Sequence, residues 1–323
     1  MKIDNNLVYL RLENARMRLK EISSLLNKSS QRLKYSLNNL EKESILINPH
    51  CVFDYSYFGI LLFRVYFKGG YISEKDRKNI IEQLSDDPYI VSIYELEGEF
   101  DLIMEFACPN PSKFNKELKK IATLIPTLNH YKIVLNVVTH LYPKYYLTKD
   151  SNLTILNNVH IIGGDRDVKE FNKNEMSVIK NILLNPKIRV TELANKSGIN
   201  VKTANSILKN LKKNKVIRGF KYALDTNKLK INKFRLFIEL HNLSPEKEKQ
   251  IVDHMLKIEE IVQLNKTVGD WDMEVDIESF DKEKVRSIVM RLREEFKEII
   301  QGFNIIEFYK YHKKSYLPLY LFE

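Results

Sequence analysis

Thr191-Glu192-Leu193-Ala194-Asn195-Lys196, then Gly198-Ile199, then Asn200-Val201-Lys202-Thr203-Ala204-Asn205-Ser206-Ile207-Leu208-Lys209-Asn210-Leu211, reads as two short helices closed on each other by a tight turn. Gly198 allows the left-handed backbone that such a turn needs. Asn200 is a good N-cap for the helix that follows. Small Ala194, with Gly198 four residues on and apolar Ile199 after it, suits two helices that cross closely. Ala204, Ile207, Leu208 and Leu211 recur at helical spacing and form the stripe expected to be buried. Lys202, Thr203, Asn205, Ser206 and Lys209 are left outward. Upstream, Met176, Ile179 and Ile182-Leu183 predict a first helix, stopped around Pro186. Downstream, Val216 to Leu224 predicts a strand pair, or one strand with a bend at Gly219, suitable as a wing. The segment therefore reads as a winged helix-turn-helix.

The outward residues suit a helix laid in a major groove. Arg and Lys pair with phosphates or guanine edges, Asn and Gln with adenine edges, and Ser and Thr with either. Lys202, Thr203, Asn205, Ser206 and Lys209, with Arg218 on the wing, are the candidate DNA contacts. The bland reading is a three-helix unit used only against other protein.

The same plan occurs twice. Sliding the sequence along itself by 171 positions aligns Asn14 with Asn185, Glu21 with Glu192, Leu37 with Leu208, Leu40 with Leu211 and Asp54 with Asp225. The offset continues through Phe63-Arg64 with Phe234-Arg235, Gly98 with Gly269, Asp101 with Asp272 and Tyr145 with Tyr316. A period of this length is a whole-unit duplication, not a solenoid repeat of about 20–50 residues. Repeat one predicts helices near 4–13, 18–26 and 29–43, with Ser23 for the small Ala and Asn27 for the turn Gly. Asn tolerates left-handed backbone better than most residues. In its third helix Leu33, Leu37 and Leu40 face in. Ser30, Gln31, Arg32 and Tyr35, with Ser36 and Asn38, are candidates to face out.

The second part of each repeat predicts βαββαβ. In repeat one the strands are Leu61–Phe67, Tyr89–Leu96, Asp101–Ala107 and His130–Leu141, with helices from Ser73 through Leu84 and over Pro111–Leu124. Repeat two gives Lys233–Leu240, Pro245–Leu256, Ile261–Thr267, Asp272–Ile277, Asp281–Phe296 and Ile300–Tyr311 in the same order. That is a ferredoxin-like sheet with two helices on one face. Phe63, Val65 and Phe67 alternate with Leu62, Arg64 and Tyr66, so both registers are largely apolar and both faces call for burial. The cover is expected to be a second such sheet, supplied by the other repeat or by exchange between chains.

The fold class is α+β. The expected boundaries are 1–54 and 171–225 for the helix-turn-helix units, 55–147 and 226–323 for the sheet domains, and 148–170 for the connection. Its apolar pieces Leu153–Leu156 and Val159–Ile162 are too regular for a free linker and suit an edge strand or packing across domains. The net charge is +10, with residues 171–224 contributing +10, residues 1–50 contributing +4 and the remainder −4. Net positive charge concentrated in the two equivalent helical segments is the footprint of a polyanion binder. A charged fraction of 29% and the lack of a long apolar run exclude a membrane-embedded protein. The N-terminus has no apolar segment of the secretory kind. Cys51 and Cys108 have no metal-ligand spacing and the seven histidines are scattered, so neither a metal nor a cofactor is expected. Reduced cysteines fit a cytoplasmic protein.

A winged helix-turn-helix, a connecting strand, then βαββαβ resembles the Lrp/AsnC family of feast/famine transcriptional regulators. The likeness rests on Asn14-Ala15-Arg16 and Asn185-Pro186-Lys187, Glu21-Ile22 and Glu192-Leu193, and Leu40-Glu41-Lys42 and Leu211-Lys212-Lys213. Its most specific elements are Glu97-Gly98-Glu99-Phe100-Asp101-Leu102 and Val268-Gly269-Asp270-Trp271-Asp272-Met273, which look like the family's Gly-x-aromatic-Asp turn. The resemblance implies double-stranded DNA as partner, dimerisation through the sheet domains into a homo-oligomer, and sensing of a small molecule such as an amino acid. Gly98, Asp101, Gly269 and Asp272 are then the candidate effector contacts. The alternative for these four is a turn in which the Asp caps backbone amides. Fusion of two units departs from the family's pattern and pairs two non-identical readers, so the target need not be palindromic.

Two other classes compete. Siroheme decarboxylases resemble paired Lrp/AsnC units, and that reading wants histidines and arginines gathered in the sheet-domain cleft. His130, His140, His254 and His312 do not repeat at equivalent positions. A nucleoid-organising protein would instead bind all duplexes nearly equally, with a steep salt dependence.

Overall fold

Each helix begins where a side chain can hold its free backbone amides. Asp4 accepts from Asn6 N, Ser29 from Arg32 N, Asn110 from Lys113 N and Asn200 from Thr203 N. Asn172 and Glu175 cap each other's amides in a reciprocal box. The computed structural model describes residues 3–69, 73–128, 130–154, 159–241 and 244–323. Repeat one runs α1 (Asn5–Glu13), α2 (Leu19–Leu26), α3 (Ser30–Lys42), β1 (Leu46–Phe53), β2 (Leu61–Lys68), α4 (Glu74–Asp86), β3 (Ile90–Glu97), β4 (Leu102–Cys108), α5 (Pro111–Leu124) and β5 (His130–Leu141). The connection contributes α6 (Ser151–Thr154) and β6 (His160–Gly163). Repeat two runs α7 (Lys173–Leu184), α8 (Val190–Lys196), α9 (Val201–Lys213), β7 (Ile217–Leu224), β8 (Asn232–Leu240), α10 (Pro245–Met255), β9 (Ile261–Gly269), β10 (Met273–Ser279), α11 (Lys282–Glu295) and β11 (Ile300–Lys314).

The turn between α2 and α3 carries Asn27 at φ 49°, and its counterpart between α8 and α9 carries Gly198 at φ 65°. The two repeats therefore make the same left-handed turn, one with the residue that costs nothing and one with the next best.

Of the two readings of the wing, strand pair or single strand, the single strand holds. β1 and β7 are single strands, and each pairs antiparallel with the other rather than folding back as a hairpin. Asp54 N donates to Val216 O at 2.9 Å, and the equivalent Asp225 N donates to Ile45 O at 3.0 Å. The ribbon zips the repeats together, because each strand satisfies its ladder with its own duplicate.

The sheet domains do the same on a larger scale. Strand order β2-β4-β3-β11-β8-β10-β9-β5, with a further β2–β5 pairing, closes eight strands into a ring. Closure depends on two long strands that change partner along their length. β11 pairs with β8 over 300–307 and with β3 over 307–314. β5 pairs with β2 over 130–136 and with β9 over 134–141. The cover for each sheet is thus the other repeat of the same chain. Alternation sorts the residues: Phe63, Val65 and Phe67 pack under α4 and α5, while Tyr66 joins Phe100, Phe237 and Trp271 inside the ring. β6 adds to the edge of β5. Ile155 and Leu156 of the expected apolar run lie outside the described residues.

Candidate nucleic-acid interface

The buried stripe of α9 is Ala204, Ile207, Leu208 and Leu211, and that of α3 is Leu33, Leu37 and Leu40. Burying these stripes leaves the opposite faces in solvent. Lys202, Asn205, Ser206 and Lys209 are exposed on α9, with Thr203 half-buried beside them. On α3, Ser30, Gln31, Arg32 and Tyr35 are exposed, Tyr35 to 69%. Among the described residues, Lys202, Lys209, Arg32 and Lys34 have no ion-pair partner. Helix α9 contains no acidic residue, whereas α3 contains Glu41. Sequence reasoning missed Val201, which is 42% exposed at the first position of α9 and presents an apolar side chain among the polar ones. Its place directly after the Asn200 cap was the available signal.

The two helix-turn-helix units share one hydrophobic core, with Leu33 and Leu37 in the same cluster as Ile207 and Leu208. Ala15 N donates to Phe220 O at 2.7 Å, and Arg16 Nε donates to Pro186 O at 2.7 Å while its guanidinium lies over the Phe220 ring. Glu41 accepts from Lys187 Nζ and from the Tyr222 hydroxyl, at 2.9 and 2.6 Å. Burial pushes the Glu41 carboxyl up, but its bonds to Tyr222 and Lys187 more than offset this and hold it below the ordinary range. These contacts fix α3 and α9 relative to each other.

Arg218 is a correction. It sits on β7 with its side chain turned inward, donating to Asp54 Oδ2 at 2.6 Å, and is not available to a polyanion. Asp54 is fully buried, also accepts from Ser56 Oγ (2.6 Å) and Gly163 N (3.0 Å), and forms an ion pair with Arg166 at 3.0 Å. One carboxylate therefore ties both hinge strands to the connecting segment, which satisfies its lone pairs in a place where an unpaired charge would be costly.

The two glycine-aspartate turns use their carboxylates on backbone. Asp272 Oδ2 accepts from Leu240 N at 2.7 Å, and Asp101 Oδ2 accepts from the equivalent Gly69 N. Gly98 and Gly269 have φ of 126° and 150°. At Gly269 a Cβ would lie 2.7 Å from Ile133 O, so the missing side chain lets two strands of different repeats approach. The four residues form matched turns at the ring's edges.

Inside the ring lies a chain of charges. Arg64 donates to Glu105 (2.8 Å) and to Glu274, and Arg235 donates to Asp276 (2.6 Å) and lies 3.5 Å from Glu274. Tyr66, Asn265 and Trp271 also donate to Glu274. Beyond them Lys314 meets Glu105, Lys233 and Lys144 share Glu278, and Lys221 meets Glu13. Burial raises the Glu278 carboxyl, but Lys144 and Lys233 bring it down to about 2. Among the described residues no cluster of His, Cys, Asp and Glu could hold a metal, and no helix is long and apolar enough to cross a membrane.

Residues 171–218 match a family model described as winged helix-turn-helix DNA-binding. Over 112 residues the chain is 26% identical to an uncharacterised HTH-type transcriptional regulator of Pyrococcus horikoshii, covering 35% of this chain and 74% of that protein. The siroheme decarboxylase NirDL superposes on 98% of this chain and 94% of its own, with a TM-score of 0.59 and 11% identity. An AsnC family transcriptional regulator from Agrobacterium tumefaciens superposes over 47% of this chain and all of its own, with a TM-score of 0.41 and 17% identity. The matched helix-turn-helix, the glycine-aspartate turns and the ring of two ferredoxin-like sheets lead to one architectural conclusion. The chain is built of two similar units, each a winged helix-turn-helix followed by a ferredoxin-like sheet, fused in one polypeptide.

Proposed function

We propose that this protein is a DNA-binding transcriptional regulator in which α9 and α3 read neighbouring stretches of duplex DNA. The observation that carries the proposal is the outward face of α9, where Lys202, Asn205, Ser206 and Lys209 stand exposed and unopposed by any acid of the helix. Unpaired ammonium groups supply the attraction to phosphate, and an amide among them supplies a group able to read adenine. The two helices differ in sequence, so the preferred site has two unlike halves. Sheet closure within the chain holds the readers at one separation.

Selection of binding sites from a random duplex pool tests this. The full chain is expected to enrich one asymmetric motif, and a Lys202→Ala/Asn205→Ala/Lys209→Ala variant is expected to lose it. Failure of the wild-type chain to enrich any sequence overturns the proposal. Equal retention of all duplexes points instead to a low-specificity DNA-coating role.

A second reading draws on the whole-chain likeness in fold to a siroheme decarboxylase. The ring's two arginines, Arg64 and Arg235, are both committed to carboxylates, which argues against their holding substrate carboxylates. A Soret band that co-purifies with the chain, and loss of substrate carboxylates on incubation with siroheme, would favour this reading over the regulator.

A further inference from the structure

Between the hinge ribbon and the mouth of the ring lies a cavity of about 80 Å³. Glu13, His50 and Lys221 line it from the helix-turn-helix side, and Lys144, Lys233 and Lys314 from the sheet side. Neither the DNA-facing helices nor the glycine-aspartate turns contribute to it. At roughly 10–15 Å³ for each water-sized group, this space suits an organic molecule of about six heavy atoms.

The wall has an unbalanced charge. Four lysines line it, Lys144, Lys221, Lys233 and Lys314, against three carboxylates, Glu13, Asp276 and Glu278. Each lysine has a carboxylate neighbour, but Lys144 and Lys233 share Glu278, and excess positive charge in a partly enclosed site is costly, so a monoanion would offset it. Lys221 donates to Glu13 and Lys144 to Glu278. An ammonium has three donors, so both lysines retain capacity toward the cavity. His50 adds a different group. Its Nδ1 lies 2.8 Å from Asn48 O, and a carbonyl only accepts, so Nδ1 carries the proton and Nε2 is an acceptor. Burial first, and then the fields of Lys314 and Lys221, bring this imidazole down to about 4, so the ring is neutral at pH 7.

Ammonium donors in the same lining as an imidazole acceptor nitrogen define the complementary ligand. We infer that this cavity binds a small 2-hydroxycarboxylate, its carboxylate toward Lys221 and Lys144 and its hydroxyl donating to His50 Nε2. Because the walls come from both layers, occupancy couples the hinge ribbon to the sheets. On the regulator reading above, it shifts the affinity for DNA.

Titration calorimetry on the full chain without DNA tests the site, using L-lactate and glycolate as probes. Saturable binding of lactate is expected, with propionate at least tenfold weaker for want of the hydroxyl and neutral lactamide giving no heat. Lactate should raise the midpoint of thermal unfolding of the wild-type chain, a readout that needs no variant. Lys221→Met should abolish binding and Lys221→Arg should retain it. No saturable heat with lactate or glycolate, equal heat from lactamide, or unchanged binding in Lys221→Met overturns the inference. A separate titration of duplex DNA with and without lactate keeps the two ideas apart. Lactate binding with no DNA binding sinks only the regulator, and DNA binding with no lactate heat sinks only the cavity.

Discussion

Arg64 on β2 and Glu274 on β10 face each other across the inside of the ring, each less than 2% exposed, and form an ion pair between the two repeats. At the position equivalent to Glu274, repeat one has Ile103, so the pairing is one-sided. Replacing Glu274 by Ile, the residue its own duplicate uses, leaves Arg64 with only Glu105 and strands the groups of Tyr66, Asn265 and Trp271. Such a substitution is expected to cost about 3–5 kcal/mol, as breaking one side of a buried pair does. Urea denaturation followed by far-ultraviolet circular dichroism measures it, and an unchanged midpoint would show the pair to be neutral.

Lys202→Ala and Lys209→Ala each remove one exposed charge from α9. Each should weaken duplex binding uniformly across sequences and reduce the salt slope by about 1. Asn205→Ala should cost about 1–3 kcal/mol on the preferred site only. Fluorescence anisotropy at several salt concentrations separates the two behaviours. Thermal midpoints should not move, since these side chains are in solvent.

Asp54→Asn keeps the shape of the hinge carboxylate and removes its charge. Arg218 and Arg166 then lose their counterion. The expected result is a loss of about 2–4 kcal/mol, with faster hydrogen exchange at the amides of β1 and β7. Arg218→Ala should likewise lower stability while leaving the salt slope for DNA unchanged, because that side chain faces Asp54.

His50 predicts an acid-sensitive joint. Its pKa lies near 4 in the folded chain, below the 6.5 of an unfolded histidine. The unfolded state therefore binds more protons between these values, and stability present above pH 6.5 is lost as pH falls toward 4. The full effect is about 3 kcal/mol. His50→Gln should flatten the decline in unfolding midpoint over that window.

Gly269→Ala should destabilise more than Gly98→Ala. Both glycines have positive φ, but only at Gly269 does the new methyl meet backbone, 2.7 Å from Ile133 O; at Gly98 the nearest atom is a side-chain carbon at 3.9 Å. Costs of about 3 and 1 kcal/mol are expected from strain of this kind. Differential scanning calorimetry ranks them.

Much of this architecture could be read from local pattern. The stripes Leu33-Leu37-Leu40 and Ala204-Ile207-Leu208-Leu211 were legible because helical period alone separates inside from outside. The second buried face of the sheets was legible from the apolar Leu62 and Tyr66 between Phe63, Val65 and Phe67. That a second such sheet covers it was also legible, but whether this chain's other repeat or another chain supplies it was not, since strand partners such as β11 and β3 are set by contacts remote in sequence. Val216 to Leu224 reads equally well as a strand pair or as one strand with a bend at Gly219, and only the position of β1 decides it. Arg218 carries no local sign that Asp54 waits 164 positions away. The sequence also marks Arg64 and Arg235 as charges inside apolar strands, but not the carboxylates that meet them.

Zipping of β1 onto β7 within a single polypeptide has an evolutionary corollary. Two separate subunits made from one gene must accept every change in duplicate, whereas here a substitution in α9 leaves α3 untouched. On the regulator reading, each half can drift toward its own recognition preference without spoiling its neighbour's. Assembly of the pair is also a first-order event, so it does not fade when the protein is scarce.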